Sequence, residues 1–271
     1  MHMFEQKVRA YIKEMNLIAQ GDHLLLACSG GVDSVALLHF LHRYKDIMGI
    51  QLSVVHVDHM LRGDVSFEDL EFVGATCEKL DLPFYGRSIN IPAILEAHGG
   101  NSQAVCRRER YAYFGEVMDS IGANIVVTAH HADDQLESVV MALTKGASTK
   151  SLAGIHPIRS FKDGQIIRPL LSVTKVEVRE YLQMNQLKWR EDSSNEQDDY
   201  LRNRFRHHVI PLLKEENPNI TTNIQYLSEQ LREDEQFLMG LAKARFSDIV
   251  TKSAENAFYL EVDVLKREPV A

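Results

Sequence analysis

The sequence predicts an α/β protein, a doubly wound and mainly parallel sheet followed by a smaller helical domain. Three observations carry that expectation. Short continuous apolar runs such as Leu24-Leu25-Leu26 alternate with longer stretches of helical period, the pattern of strands buried on both faces and joined by crossover helices. The turn Ser29-Gly30-Gly31 joins the first run to the first such helix, as βα units do. Beyond Pro211 and Pro218 the β-rich runs stop and helical spacing continues alone, which places a boundary between residues 1–215 and 216–271.

Met1-His2-Met3 reads as a cloning remnant ahead of a start at Met3 and carries no fold signal. Strands are expected at residues 24–28, 52–57, 83–88 and 125–128, with helices between them at about 35–45, 67–80 and 102–121. A further helix opens near Asp133, where Leu136, Val139, Val140 and Leu143 recur with a period close to 3.6. Residues 146–164 are rich in Gly, Ser and Pro and read as a long loop or crossover. A helix resumes at Thr174, because Thr174-Lys175-Val176-Glu177 has capping-box spacing and Val178, Tyr181 and Leu182 supply a face. Residues 188–200 are polar and read as loop. The stripe Ile224, Leu227, Leu231, Phe237, Leu238 and Leu241 reads as core or domain interface, and residues 257–262 as a last strand.

Composition narrows the class. With 45% hydrophobic and 25% charged residues over 271 positions, the chain reads as an ordinary globular protein. No apolar stretch approaches a membrane span, and no basic-then-apolar leader opens the chain, so no membrane is expected and the setting expected is cytoplasmic. Cys28, Cys77 and Cys106 are too far apart for a Cys-x-x-Cys site and read as buried thiols. The formal charge of −8 does not advertise nucleic-acid binding. Basic residues nevertheless cluster in Arg107-Arg108-Glu109-Arg110 and in Arg202-Asn203-Arg204-Phe205-Arg206-His207-His208. Either cluster suits a polyanion or, more plainly, a solvated helix face.

The chemistry concentrates where strands end. Ser29-Gly30-Gly31-Val32-Asp33-Ser34 has the parts of a phosphate cradle: glycines that let backbone approach an anion, a helix N-terminus behind them, and hydroxyl donors. Asp33 would repel phosphate unless a divalent cation, most simply Mg²⁺, stands between them. The Walker A spacing and its lysine are missing, and so is the Rossmann glycine pattern. Two further polar groups follow strands, His56-Val57-Asp58-His59-Met60-Leu61-Arg62 and His130-His131-Ala132-Asp133-Asp134-Gln135-Leu136-Glu137. In an open α/β sheet all three fall on the ligand-binding edge. Glu137 follows Asp133 and Asp134 by about one turn, so at least two carboxylates share a face able to hold Mg²⁺ or an ammonium group. His130 suits a hydrogen bond to phosphate.

The Ser-Gly-Gly-x-Asp-Ser loop resembles that of the PP-loop ATPases. With the His56 and His130 segments, Arg107-Arg108-Glu109-Arg110-Tyr111, Ser151-Leu152-Ala153-Gly154-Ile155, Arg168-Pro169-Leu170-Leu171, Glu191-Asp192-Ser193-Ser194-Asn195 and Tyr200-Leu201-Arg202-Asn203-Arg204-Phe205-Arg206, the chain is similar to the tRNA(Ile)-lysidine synthase family over residues 21–218. The first segment is common to all PP-loop enzymes; the last two are much more specific. Cys106 and Ser138 depart conservatively from the family pattern, and many members continue into a further C-terminal tRNA-binding domain, whereas this sequence ends at Ala271.

The resemblance implies a fold like the adenine nucleotide alpha-hydrolases and a ligase using ATP and Mg²⁺. Its substrates would be L-lysine and an isoleucine tRNA with a CAU anticodon; a homodimer is left open. The wobble cytidine (position 34) O2 would attack the ATP α-phosphate and release pyrophosphate, and the lysine amine would then attack C2 and expel AMP. By the same resemblance Ser29, Gly30, Gly31, Val32, Asp33, Ser34, His56 and Asp58 would bind ATP, and Asp33 and Asp134 the metal. Arg110 would stabilise phosphate charge, and Asp134 and Glu137 would hold the lysine amine or a second Mg²⁺, with one of them or His130 as the base. Arg202, Arg204 and Arg206 would face RNA phosphates. The rivals are a tRNA 2-thiolation enzyme, which would want catalytic cysteines, an amidating synthetase, which would want an ammonia supply, and a silent nucleotide-binding module.

Overall fold

The computed structural model describes residues 2–146, 148–191, 201–254, 257–260 and 262–266. The chain opens with helix α1 (Met3–Glu14), then strand β1 (His23–Ala27), α2 (Val32–Met48), β2 (Gln51–Asp58), α3 (Asp64–Lys79) and β3 (Phe84–Ser88). Helices α4 (Ile91–His98) and α5 (Ser102–Ile121) lead to β4 (Ile125–Val127), α6 (Ala132–Leu143) and the single turn α7 (Thr149–Leu152). Strands β5 (Ile158–Phe161) and β6 (Gly164–Ile167) precede a 3₁₀ turn and α8 (Lys175–Met184). After α9 (Leu201–Arg204) and a π-helical turn come α10 (Ile210–Glu216), α11 (Ile220–Ile249), β7 (Val250–Ala254), β8 (Ala257–Leu260) and α12 (Val262–Leu265).

Six strands form one sheet in the order β3-β2-β1-β4-β6-β5, parallel except for the antiparallel β5–β6 pair. The four expected parallel strands are present. β1 lies at the centre, and Leu24, Leu25 and Leu26 are all 0% exposed because helices cover both faces. Burial of each such side chain stabilises the fold by about 2 kcal/mol. Alternation sorts the core: Leu24 and Leu26 pack with Phe40 and Leu41 of α2 and Tyr181 of α8, while Leu25 packs with Tyr113 and Phe114 of α5. The chain leaves β1 for β2 and β3 on one side, then returns to β4 on the other. That reversal opens a crevice beyond the carboxyl ends of β1 and β4.

Three differences from the sequence reading have local causes. Within residues 146–164 lie α7 and the first strand and turn of a hairpin, the turn being Lys162-Asp163. The N-terminal segment is a helix, its His2 completing a capping box with Glu5 and its Phe4 and Val8 fully buried. The stripe on α11 is not core: Leu227, Phe237, Leu238 and Leu241 are exposed, and the helix docks instead through Ser228 and Arg232, buried against the carbonyls of Leu152 and Ala153. The capping box at Thr174 is formed, with Thr174 Oγ1 accepting from the Glu177 amide at 3.3 Å. Residues 192–200, with the Asp192-Ser193-Ser194-Asn195 motif and Tyr200, lie outside the described residues.

Candidate functional site: the β1–β4 crevice

Gly30 and Gly31 do different work. Gly30 has φ +83, and a Cβ there would meet Phe72 at 3.3 Å and Val73 at 3.4 Å, so only glycine fits without strain. Gly31 is the N-cap of α2, with Val32 buried behind it. Ser34 stiffens the turn: its Oγ accepts from the Ser29 amide at 3.1 Å and donates to the Gly31 carbonyl at 3.0 Å. The amides at the start of α2 therefore point out of the loop with their dipole behind them. His56 props the loop from β2. Its Nδ1 lies 2.7 Å from the Cys28 carbonyl, so that nitrogen is the donor, and burial holds the ring's pKa below its ordinary value.

Asp33 occupies the first turn of α2. Its Oδ2 is 2.5 Å from Lys175 Nζ, at the first position of α8, while its Oδ1 is buried with no hydrogen-bond partner. Sequence reasoning missed Lys175 as a site residue. The loop lacks the lysine of a Walker A motif, and the fold supplies one from 142 residues away. His131, 4% exposed, accepts the Asp134 amide on Nδ1 at 3.3 Å, which leaves the proton on Nε2. That Nε2 sits 3.7 Å from Asp33 Oδ1 and 3.6 Å from Asp134 Oδ2. The two carboxylates expected to hold a metal thus flank one ring edge. The orphaned Asp33 oxygen suits a cation. Among the described residues no group of three or more His, Cys, Asp or Glu makes a full protein cage, and Mg²⁺ asks only for one or two carboxylates plus substrate phosphates.

Asp134 and Glu137 share a face of α6, and Asp133 does not. Asp133 is taken by the Lys175 amide at 2.6 Å and by Lys214 of α10, which pins α8 and α10 to α6. Burial pushes the Asp134 carboxyl up, but His131, His130, Arg202 and the His131 amide together hold it at about 2. Glu137, 2% exposed, takes Arg206 through two bonds of 2.6 and 2.9 Å and Arg202 Nε at 2.9 Å. Arg202 and Arg206 therefore turn inward onto carboxylates, and Arg204 of the expected trio is the exposed one. Arg206 lies in the π-helical turn Phe205–Val209, where Pro211 has no N–H to give the carbonyl four residues back. His130 Nδ1 meets Thr128 Oγ1 at 3.0 Å, and burial, partly offset by Asp134, brings its pKa to about 4.

Arg110, on α5, stands across from His59, whose pKa burial and then Arg110 bring to about 4. Asp58 is not part of this group: its carboxylate accepts the Met60 amide at 2.7 Å and the Ser88 hydroxyl at 2.9 Å, holding the turn after β2. Of the thiols, Cys28 lies against the loop, its Sγ donating to Ser34 Oγ at 3.6 Å. Cys28 and Cys77 are buried, Cys106 is half-buried on α5, and burial raises all three, Cys77 to about 12.

The profile of the PP-loop domain matches residues 1–213. The chain belongs to the PP-loop family. Within that family it is 41% identical over 251 residues to the tRNA(Ile)-lysidine synthase of Geobacillus kaustophilus, covering 93% of this chain and 54% of that protein. It is 40% identical over 267 residues to the protein of the same name from Bacillus subtilis, covering 98% of this chain and 56% of the relative. The chain thus spans about half the length of the curated relatives it matches. Among solved structures, the U34-tRNA thiolase NcsA from Methanococcus maripaludis with its [4Fe-4S] cluster superposes with a TM-score of 0.67 over 85% of this chain and 78% of that one, at 19% identity. That likeness shows a shared PP-loop fold and nothing of the chemistry.

Proposed function

We propose that the crevice joins L-lysine to the wobble cytidine of an isoleucine tRNA with a CAU anticodon, with ATP as the activating substrate. The observation that carries this reading is the line of groups from Asp33 through His131 and Asp134 to Glu137. It connects an anion-binding loop to a carboxylate pair suited to an ammonium group, which is what joining an amine to a nucleotide-activated acceptor requires. Relatives at 37 to 41% identity named tRNA(Ile)-lysidine synthase support the choice of amine and RNA.

In this reading the loop amides and the Ser29 hydroxyl hold the pyrophosphate portion of ATP on a turn that Ser34 braces, and Lys175 adds a charge to the leaving oxygen. Arg110 neutralises phosphate charge from the α5 side. Asp33 and Asp134 would hold Mg²⁺, which would supply Lewis-acid charge at the phosphate. The cytidine O2 forms its bond to the α-phosphorus as pyrophosphate departs. Asp134 and Glu137 then hold the lysine amine, its ammonium proton passes to water, the nitrogen bonds to C2, and AMP leaves with the O2 oxygen. Arg202 and Arg206 fix Glu137 for that exchange. His130, neutral at pH 7, is a hydrogen-bond partner for phosphate and too weak a base for an ammonium.

Incubation with ATP, Mg²⁺, radiolabelled lysine and unmodified tRNA is expected to put label on RNA, with one AMP and one pyrophosphate per lysine. ATP cleavage with no lysine on RNA would overturn the reading. A thiolation enzyme of this fold would move sulfur, and nothing in the placement of the three thiols favours it.

A further inference from the structure

One concentration of positive charge extends beyond the groups used in the steps above. Arg107 of α5, Arg159 of β5, Arg168 after β6 and Arg202 of α9 line a cavity of about 260 Å³ together with His130 and His156. No carboxylate lines it among the described residues. Arg107 and Arg159 both lie over the ring of Tyr111, 4.7 and 5.4 Å from its centroid, a stack that tolerates two cations without neutralising either. Beneath them Arg168 is 5% exposed; one of its terminal nitrogens donates to the His156 carbonyl, and its Nε is buried with no acceptor. A buried guanidinium N–H without a partner is costly. Arg202 is matched by Glu137, but Arg107, Arg159 and Arg168 have no carboxylate partner among the described residues, and like charges so collected are a binding site for an anion.

Two anions could bring phosphate here, the triphosphate of ATP and the RNA backbone. The loop that receives the triphosphate leads into α2, on the sheet face of Leu24 and Leu26, whereas Tyr111 packs with the cluster on the opposite face. The cavity meets the catalytic groups at His130, Ser138 and Arg202, the side where an RNA base must arrive. We propose that it binds one internucleotide phosphate of single-stranded RNA, next to the nucleotide whose base enters at Asp134 and Glu137. Backbone held there would position an unstacked base without reading it. This proposal rests on the function proposed above.

The test uses the exposed Arg107 and Arg159, whose loss leaves the core intact. An anticodon stem-loop RNA carrying a single uncharged methylphosphonate, moved one linkage at a time around the wobble nucleotide, is titrated against the protein and against Arg107→Gln and Arg159→Gln. The protein is expected to lose roughly tenfold in affinity at one linkage. Each variant is expected to lose a similar factor with unmodified RNA, to lower the slope of log K against log salt by about 1, and to be insensitive to that methylphosphonate. ATP affinity without RNA is expected to be unchanged. Weakened ATP binding with intact RNA binding would overturn the proposal in favour of a nucleotide site, and full additivity of variant and methylphosphonate would place the phosphate elsewhere. Lysine transfer by a protein indifferent to every methylphosphonate would sink the cavity alone; absence of RNA binding would sink the functional reading with it.

Discussion

Glu137 shows how much one side chain can hold. Its 2% exposed carboxylate satisfies Arg202 and Arg206 from a segment 65 residues or more away. Glu137→Gln leaves two guanidiniums half-paired beside Asp134, and it is expected to cost about 2 kcal/mol in chemical denaturation as well as lysine transfer. Asp33→Ala separates the two effects: its partner Lys175 is partly exposed, so the melting temperature is expected to stay within a few degrees while pyrophosphate release falls at least a hundredfold. Acid stability follows from His130 and Asp134. With a folded pKa of about 4 against 6.5 unfolded, His130 binds its proton more readily in the unfolded chain, so stability falls as pH drops from 6.5 to 4, by about 2 to 3 kcal/mol. Asp134, depressed from 3.8 to about 2, contributes stability that is present above pH 4 and lost as pH falls through 2. Urea midpoints are expected to flatten in the upper window for His130→Gln and in the lower one for Asp134→Asn.

Elements translate such placements into geometry. Gly30→Ala forces a side chain into φ +83 against Phe72 and Val73 and is expected to destabilise by about 1 to 2 kcal/mol. Gly31→Ala meets only Ser29 Oγ at 3.4 Å, so it is expected to melt normally while weakening ATP binding severalfold, read by titration calorimetry. Thr174→Ala removes the cap of α8, costing about 1 kcal/mol and loosening Lys175 at its first turn. Much of this was legible in the sequence. Leu24-Leu25-Leu26 announces a strand buried on both faces, Thr174 and Glu177 announce a cap, and Ser29 to Ser34 announces a tight strand-to-helix turn. The hairpin at Lys162-Asp163 was hidden because its strands are short, they lie in a stretch rich in Gly, Ser and Pro, and its two-residue turn is Lys-Asp, with Lys162 at φ +49, rather than the Asn-Gly or Asp-Gly that marks such turns. Lys175 had no local signal at all, because what brings it to Asp33 is the docking of α8 on α2.

At the scale of the whole molecule, the sheet order sets the division of labour. The reversal between β1 and β4 gathers the glycine loop, the His130 segment and the π-helical turn at one rim, and the same sheet separates the α2 face from the α5 face. No described helix is long and apolar enough to cross a membrane. The first half of the long helix α11 holds to that body, where Arg232 donates to the Ala153 carbonyl at 3.1 Å. Its second half presents Phe237, Leu238 and Leu241 to solvent. The three thiols are distributed over the same frame, Cys28 and Cys77 sealed in the core and Cys106 half-open on α5, one residue from Arg107. A maleimide dye at mildly alkaline pH should therefore label the native protein at a single position. That position is one residue from Arg107 of the arginine-lined cavity, so the chain carries a built-in attachment point at which the proposed RNA site can be tested in real time.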